Sequence, residues 1–573
     1  MRRFWPVLVA FALTAVCLSV FWSYATPHLC YPRYWHPGDS GHGIYNAWQV
    51  TIGRVLYRDI FEYRFPLYFF LFGPFLQATG HSLVALQAAT ILGMAAVAAL
   101  LAFAFVRAGS DEWIAALGAP VAPLLAFAAW PFPYPPWLEW LFAAGAIAML
   151  AGEKPRFFVA GVLAGLAGLS LQAQGVPLAV GLTVGIFLCS PGRRLAATGR
   201  FVAGGLATVL PFVVYFAATG ALGDLVWNTI TWPTTYYYNG AIRGTGLFAG
   251  VREYFEKRGH CQAGPISRLY DASIYGLSAL PTAGAVVAAA TLIRIALRRQ
   301  HAELFLGALA CAALATYLPN LRPELSDNPH FAFASLASIA LLVALAHRAG
   351  SYGLVAVVAV SLALVAIHAD RAYRFEPFQR RYLDFDDYAA RYWKVDRLTS
   401  LTEPGDRIVH APYGGWEYLL SGRESGIPNT WIFADYRFVP PSTWERAAKV
   451  MREREPTLLV FKEKAVEQYL FRADPTIPDR YFWNGMGWEK RDLPHGEVAG
   501  VWQGGECGKL RLTQESNRLT GWIEKTDVVG SVRGSRVYLV GGPEELLLHL
   551  DGGALIGTRN GRSCRFEAPS TDK

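Results

Sequence analysis

LVALQAATILGMAAVAALLAFAFV, residues 83–106, runs the length of a bilayer without one charged side chain. About 20 apolar residues in a helix suffice to cross the roughly 30 Å hydrocarbon core. Outward from it the pattern repeats. Apolar runs near 4–24, 112–130, 137–151, 157–171, 174–190, 201–219, 273–296, 303–318, 331–346 and 351–369 bring the expected spans to eleven, and beyond residue 370 the chain reads as soluble. With 53% hydrophobic and 17% charged residues in 573, the composition excludes an ordinary soluble protein. The expected fold is a polytopic α-helical membrane protein with about eleven transmembrane helices, followed by an external soluble α/β plus β region. The first run follows Met1-Arg2-Arg3, lacks a small-x-small cleavage site and has further spans behind it, so it reads as an uncleaved anchor.

Charge asymmetry orients the chain. One set of connections carries Arg2, Arg3, Arg107, Lys154, Arg156, Arg193, Arg194, Arg294, Arg298, Arg299, His347 and Arg348; these are short, basic and cytoplasmic by the positive-inside rule. The other set, residues 25–82, 131–136, 220–272 and 319–330, holds the acids and aromatics and faces outside. The net charge of +8 sits largely in the cytoplasmic turns, where it meets anionic lipid headgroups, and nucleic acid is not an expected partner. Cys17, Cys189 and Cys311 fall in or beside spans as packing residues. Cys507 with Cys564, and Cys30 with Cys261, are candidate external pairs that spacing alone does not fix.

The expected domains are a membrane domain at 1–370, an external α/β domain at 371–498 and an external β-rich module at 499–573. In the second, residues 376–400 look helical. EPGDRIVHAPYGGWEYLLSGRES (403–425) holds a turn, a short strand and a Gly-rich turn, and TWERAAKVMREREPTLLVFKEK (443–464) reads as helix then buried strand. In the third, KLRLTQ, RLTGWIEK and RVYLVGG read as short antiparallel strands. Trp502 and Trp522 are candidates for glycan contact, with a place in the core as the plainer reading.

The first external loop concentrates the chemistry. HPGDSGHGIYNAWQVTIGRVLYRDIFEYRFPLY (36–68) packs Asp39, His42, Asp59, Glu62 and Arg64 among aromatics. Its HGIYNAWQVTIG portion reads as a short amphipathic helix suited to an interface, and LYFFLFGPFLQATG as an interfacial or re-entrant helix. WPFPYPPWLEW (130–140) reads as a Pro-stiffened structural turn. There is no GxGxxG in a strand–helix setting, no P-loop, no HExxH and no Cys/His metal spacing, so neither a nucleotide nor a resident cofactor is expected.

Three motifs in order resemble the GT-C glycosyltransferases, in the family-39-like branch that holds the protein O-mannosyltransferases and the lipid A aminoarabinose transferase. They are GDSGHGIYNAW with GRVLYRDIFEYRFPLYFF, then GALGDLVWNTITWPTTYYYNG (220–240), then RPELSDNPHFAFA (322–334). The resemblance covers roughly residues 1–370. It implies transfer of a monosaccharide from a polyprenyl-phosphate donor to a glycan, lipid or protein acceptor on the outer face. The membrane would be a bacterial inner (plasma) membrane, with the N-terminus cytoplasmic and the C-terminal region periplasmic or extracellular.

The resemblance implies Asp39 as catalytic base, because an acceptor hydroxyl is a poor nucleophile without a carboxylate beside it; a helix N-cap is its plain alternative. It implies Asp59 and Glu62 as sugar contacts, or as ties to Arg58 and Arg64. Arg64, Arg322 and His330 stand where cations would meet the lipid phosphate, and Tyr237 where an aromatic would hold the sugar or line the interface. His42 reads as structural. The acid that usually follows Asp39 is Ser40 here, which argues against a paired-carboxylate metal site, though a divalent cation is left open. A transporter or flippase for lipid-linked glycans, or a non-catalytic envelope scaffold, is the alternative.

Overall fold

The computed structural model describes residues 4–22, 38–129, 135–190, 192–237, 282–297, 303–318, 335–374, 395–411, 415–428, 441–462 and 464–568. The chain divides into two compact units, one of Met1–Arg58 and Glu62–Asp386, the other of Asp59–Phe61 and Asp387–Lys573.

The first unit is helical. Its helices are α1 (Trp5–Trp22), α2 (Gly38–Thr51), α3 (Leu67–Ala78), α4 (Leu83–Arg107), α5 (Glu112–Gly118), α6 (Val121–Ala129), α7 (Pro135–Leu150), α8 (Phe157–Ser170), α9 (Gln172–Cys189) and α10 (Arg194–Ala218), and further ones run over Leu304–Tyr317, Leu336–Ala346 and Ser351–Arg374 and over Thr282–Leu297. α1 packs on α4, α4 on α7, α7 on α8, and α8 on both α9 and α10; α9 lies along Leu304–Tyr317. The shared core is rich in alanine, including Ala98, Ala102, Ala143, Ala164, Ala308 and Ala312. Small residues let the backbones meet. A Cβ on Gly161 of α8 would lie 1.9 Å from the Phe201 carbonyl oxygen of α10, and one on Gly185 of α9 would lie 2.5 Å from Ala308 Cα. This is the small-xxx-small packing that membrane helices use.

Three helices, Val84–Arg107, Gln172–Cys189 and Arg194–Ala218, are long and apolar enough to cross a membrane, and eight apolar helices of 10–17 residues accompany them among the described residues. The most apolar window of α10 is only 22% buried, and Leu195, Leu206, Leu210 and Val214 stand exposed on it. Such a surface is compatible with lipid around the helix. The run expected as one span at 112–130 is an apolar helix over Glu112–Ala126, in which α5 and α6 meet at Ala119 and Pro120, where proline brings no amide hydrogen. Of the runs at 273–296 and 331–346, the described parts are helical.

The second unit holds a five-stranded sheet of β1 (Arg407–Ala411), β2 (Glu424–Ser425), β3 (Leu458–Phe461), β4 (Tyr481–Trp483) and β5 (Trp488–Lys490), in the order β2-β1-β3-β5-β4. β1 is parallel to β2 and β3, whereas β5 is antiparallel to β3 and β4. A closed barrel follows, with β6 (Gly500–Gln503), β7 (Lys509–Glu515), β8 (Arg518–Ile523), β9 (Thr526–Arg533), β10 (Arg536–Gly541), β11 (Glu544–Asp551), β12 (Ala554–Arg559) and β13 (Arg562–Glu567) paired in chain order and β13 returning to β6. From β7 onward every connection is a two-residue turn, and the positive-φ positions fall on Ser516, Glu524, Gly534, Gly542, Gly552, Gly553, Asn560 and Gly561. Alternate residues such as Leu510 and Leu512, and Leu546 and Leu548, fill the interior.

Cys507 and Cys564 form a disulfide, while Cys17, Cys189 and Cys311 are free and buried; Cys30 and Cys261 lie outside the described residues. Trp502 belongs to the barrel core, its indole nitrogen donating to the Val498 carbonyl at 3.0 Å, so it offers no glycan platform. Trp522 is partly exposed, with the Arg511 guanidinium 5.6 Å from its ring.

Candidate functional site

The first connection folds around a buried ion pair. Glu62 and Arg64 lie between α2 and α3, 0% and 2% exposed. Arg64 Nε donates to Glu62 Oε1 at 2.8 Å and Nη2 to Oε2 at 3.0 Å, the parallel two-bond geometry in which guanidinium binds carboxylate best. The backbone amides of Tyr63 and Arg64 also donate to Glu62 Oε1, at 3.0 and 3.1 Å. On α2, His42 and Asn46 are one turn apart. Asn46 Nδ2 lies 3.0 Å from both His42 Nε2 and Glu62 Oε2, and His42 Nε2 is 3.4 Å from that carboxylate oxygen.

Burial alone would raise the Glu62 carboxyl. The Arg64 charge, the His42 hydrogen bond and charge, and the Arg64 hydrogen bond outweigh it and hold the group well below the usual carboxylate range. Glu62 is therefore an ionised structural acceptor near neutral pH.

The rest of the connection is tied down over long sequence distances. Tyr57, in the left-handed region at φ 72, donates its hydroxyl to the Arg64 carbonyl at 2.8 Å. Asn228 Nδ2 donates to the Tyr57 carbonyl at 3.0 Å. Gln172, at the start of α9, donates to the Tyr63 carbonyl at 2.5 Å and accepts from the Phe65 amide at 3.1 Å. Helix α2 is covered by protein rather than left with an open apolar face: Ile44, Tyr45 and Ala47 are buried, and α3 approaches so closely that a Cβ on Gly73 would lie 2.4 Å from the Ala47 carbonyl oxygen.

Asp39 lies in α2, three residues before His42. Asp59 is partly buried. Tyr237 closes a π-helical turn at Pro233–Tyr237, and Arg322 and His330 lie outside the described residues. The structure thus brings Glu62 and Arg64 together with His42 and Asn46. It supplies Asn46, Tyr57, Gln172 and Asn228 as further members that sequence reading missed. Asn46 had a signal, four residues after His42 on the same helix face; Gln172 and Asn228 had none.

No group of three or more His, Cys, Asp or Glu suited to a metal ion occurs among the described residues. The chain matches no protein-family model and no curated protein.

Proposed function

We propose that the chain is a GT-C-type membrane glycosyltransferase with eleven membrane-crossing helices and an external working face. It passes a monosaccharide from a polyprenyl-phosphate donor to a glycan, lipid or protein acceptor. The observation that carries this reading is the fixed geometry of the first connection: the Glu62–Arg64 pair is bonded to α2 through His42 and Asn46, and Asp39 is on that same helix. A general base needs such a rigid mount.

In this reading the acceptor hydroxyl attacks the anomeric carbon as its proton passes to the Asp39 carboxylate. The bond from that carbon to the phosphate oxygen breaks, and the polyprenyl phosphate leaves with the electron pair. Asp59 and Tyr237 contact the sugar, and Arg322 and His330 meet the developing phosphate charge. Glu62 and Arg64 serve by holding the loop. The membrane is a bacterial inner membrane, and the C-terminal unit faces the periplasm or the exterior.

The test is transfer from a panel of radiolabelled polyprenyl-phosphate monosaccharides by purified wild type and Asp39→Asn, with folding followed by thermal melting. Loss of the base lowers turnover by about 10²- to 10⁴-fold. No transfer by a folded wild type across the panel would shift the reading to a transporter or scaffold.

A further inference from the structure

We propose that the C-terminal unit carries a separate binding site, for a neutral hydroxyl-rich ligand of the saccharide class, formed by His410, Glu417 and Lys462 at the carboxyl edge of its small sheet. The chain leaves β1 through the helix Gly415–Ser421 to reach β2 on one side, then returns through Pro441–Arg454 to β3 on the other. Where successive connections diverge in this way, the carboxyl ends of the two strands border a crevice, which is the usual ligand position in open α/β sheets. Register places His410 and Lys462 there, and Glu417 is on the helix that leaves β1: His410 pairs with Val460, Ala411 with Phe461, and the Lys462 amide donates to the Ala411 carbonyl at 2.8 Å.

The side chains converge. Lys462 Nζ donates to Glu417 Oε1 at 2.6 Å, and His410 Nδ1 is 3.7 Å from the same oxygen. Tyr418 fixes the strand end, its hydroxyl accepting from the His410 amide at 2.6 Å. His410 and Glu417 are 5% and 1% exposed, yet His410 Nδ1 and Glu417 Oε2 make no hydrogen bond among the described residues. Buried polar atoms left so are costly, and a ligand that bonds them recovers the loss. The Lys462 side chain, 39% exposed, marks the way in.

The chemistry of the set selects the ligand. An anion would meet the Glu417 carboxylate, and a metal ion would meet the Lys462 ammonium beside it. Burial, then the Lys462 charge, keeps His410 neutral, so its ring donates from one nitrogen and accepts at the other. A hydroxyl both donates and accepts, and so can bridge Nδ1 and Oε2 while a neighbouring hydroxyl takes a proton from Lys462.

The site does not depend on the transfer reading, and the experiment keeps them apart. The full chain, in nanodiscs free of glycosidic detergent, is titrated with methyl glucoside, methyl mannoside, N-acetylglucosamine and inorganic phosphate under saturation-transfer difference NMR or competition. A saturable saccharide signal is expected in wild type and in Asp39→Asn. It weakens roughly tenfold or more in Glu417→Gln and His410→Phe, as loss of a hydrogen bond to a buried polar group requires. Lys462→Gln, at a partly exposed position, gives a third arm should either buried variant fail to fold. No signal from folded wild type, an equal signal in the folded site variants, or phosphate binding in place of saccharide overturns the proposal. A signal lost only in Asp39→Asn assigns the saccharide to the transfer site and overturns it as well, leaving the transfer reading intact.

Discussion

Arg64 is the largest charged side chain that the first unit encloses among the described residues, and its burial is tolerable only because Glu62 faces it with both oxygens. Glu62→Gln leaves that cation without its counter-charge and is expected to cost about 3–5 kcal/mol, whereas Glu62→Gln with Arg64→Met costs markedly less. Thermal melting of both variants checks the difference. The carboxyl's folded pKa is depressed, so its contribution is present above the unfolded value near 4.5 and is lost only as pH falls further. Glu489 shows the opposite sign. It sits in β5, 1% exposed, accepting from Asn484 Nδ2 at 2.7 Å and Asn517 Nδ2 at 3.2 Å. Burial pushes it up to about 7 against the hydrogen bonds of Asn484 and Asn517 and the Arg533 charge. Its stabilising contribution is complete below the unfolded value near 4.5 and is lost as pH rises through about 7. Melting of the C-terminal unit followed between about pH 5 and about pH 8 should fall with rising pH, and Glu489→Gln should flatten that slope.

At the scale of elements, close backbone approach decides which helices pair. Gly161 admits α10 against α8, and Gly161→Val forces the Phe201 carbonyl away; overpacking of this kind costs about 1–3 kcal/mol or more. Gly199→Ala, where a Cβ meets nothing within 4 Å and alanine is the better helix former, is the control and should not lower the melting temperature. The apolar runs that became helices were legible because a span needs length and composition alone. The barrel strands were legible as short alternating runs, but their closure was not: it rests on a single register pair, Glu567 with Gln503, between strands at opposite ends of the module. Trp502 was ambiguous for a similar reason, since whether a tryptophan faces the core or solvent depends on the barrel around it. The ion pair of Glu62 and Arg64 could be read from spacing, whereas Gln172 and Asn228 join it from more than 100 residues away.

For the molecule as a whole, three independent signs bear on its place in the cell. Exposed aliphatic side chains stand on α10, basic residues collect in alternate connections of the expected eleven-span layout, and the barrel contains a disulfide. Disulfides persist where the surroundings are oxidising, so the bridge argues for a C-terminal unit outside the cytoplasm. In the proposed layout, an odd number of crossings from a cytoplasmic N-terminus delivers it there. Two measurements test this together. Alkaline phosphatase fused after Lys573 should be active in intact cells, and Cys507 and Cys564 should resist thiol labelling until reduced. Replacing both by serine should destabilise the barrel by about 2–4 kcal/mol, because the bridge spans 57 residues and ties β13 back to the turn after β6. A fusion active only as a cytoplasmic reporter would require an even number of crossings, place the acidic loops of the first unit in doubt as an external face, and remove the basis for a lipid-linked donor reaching Asp39 from outside.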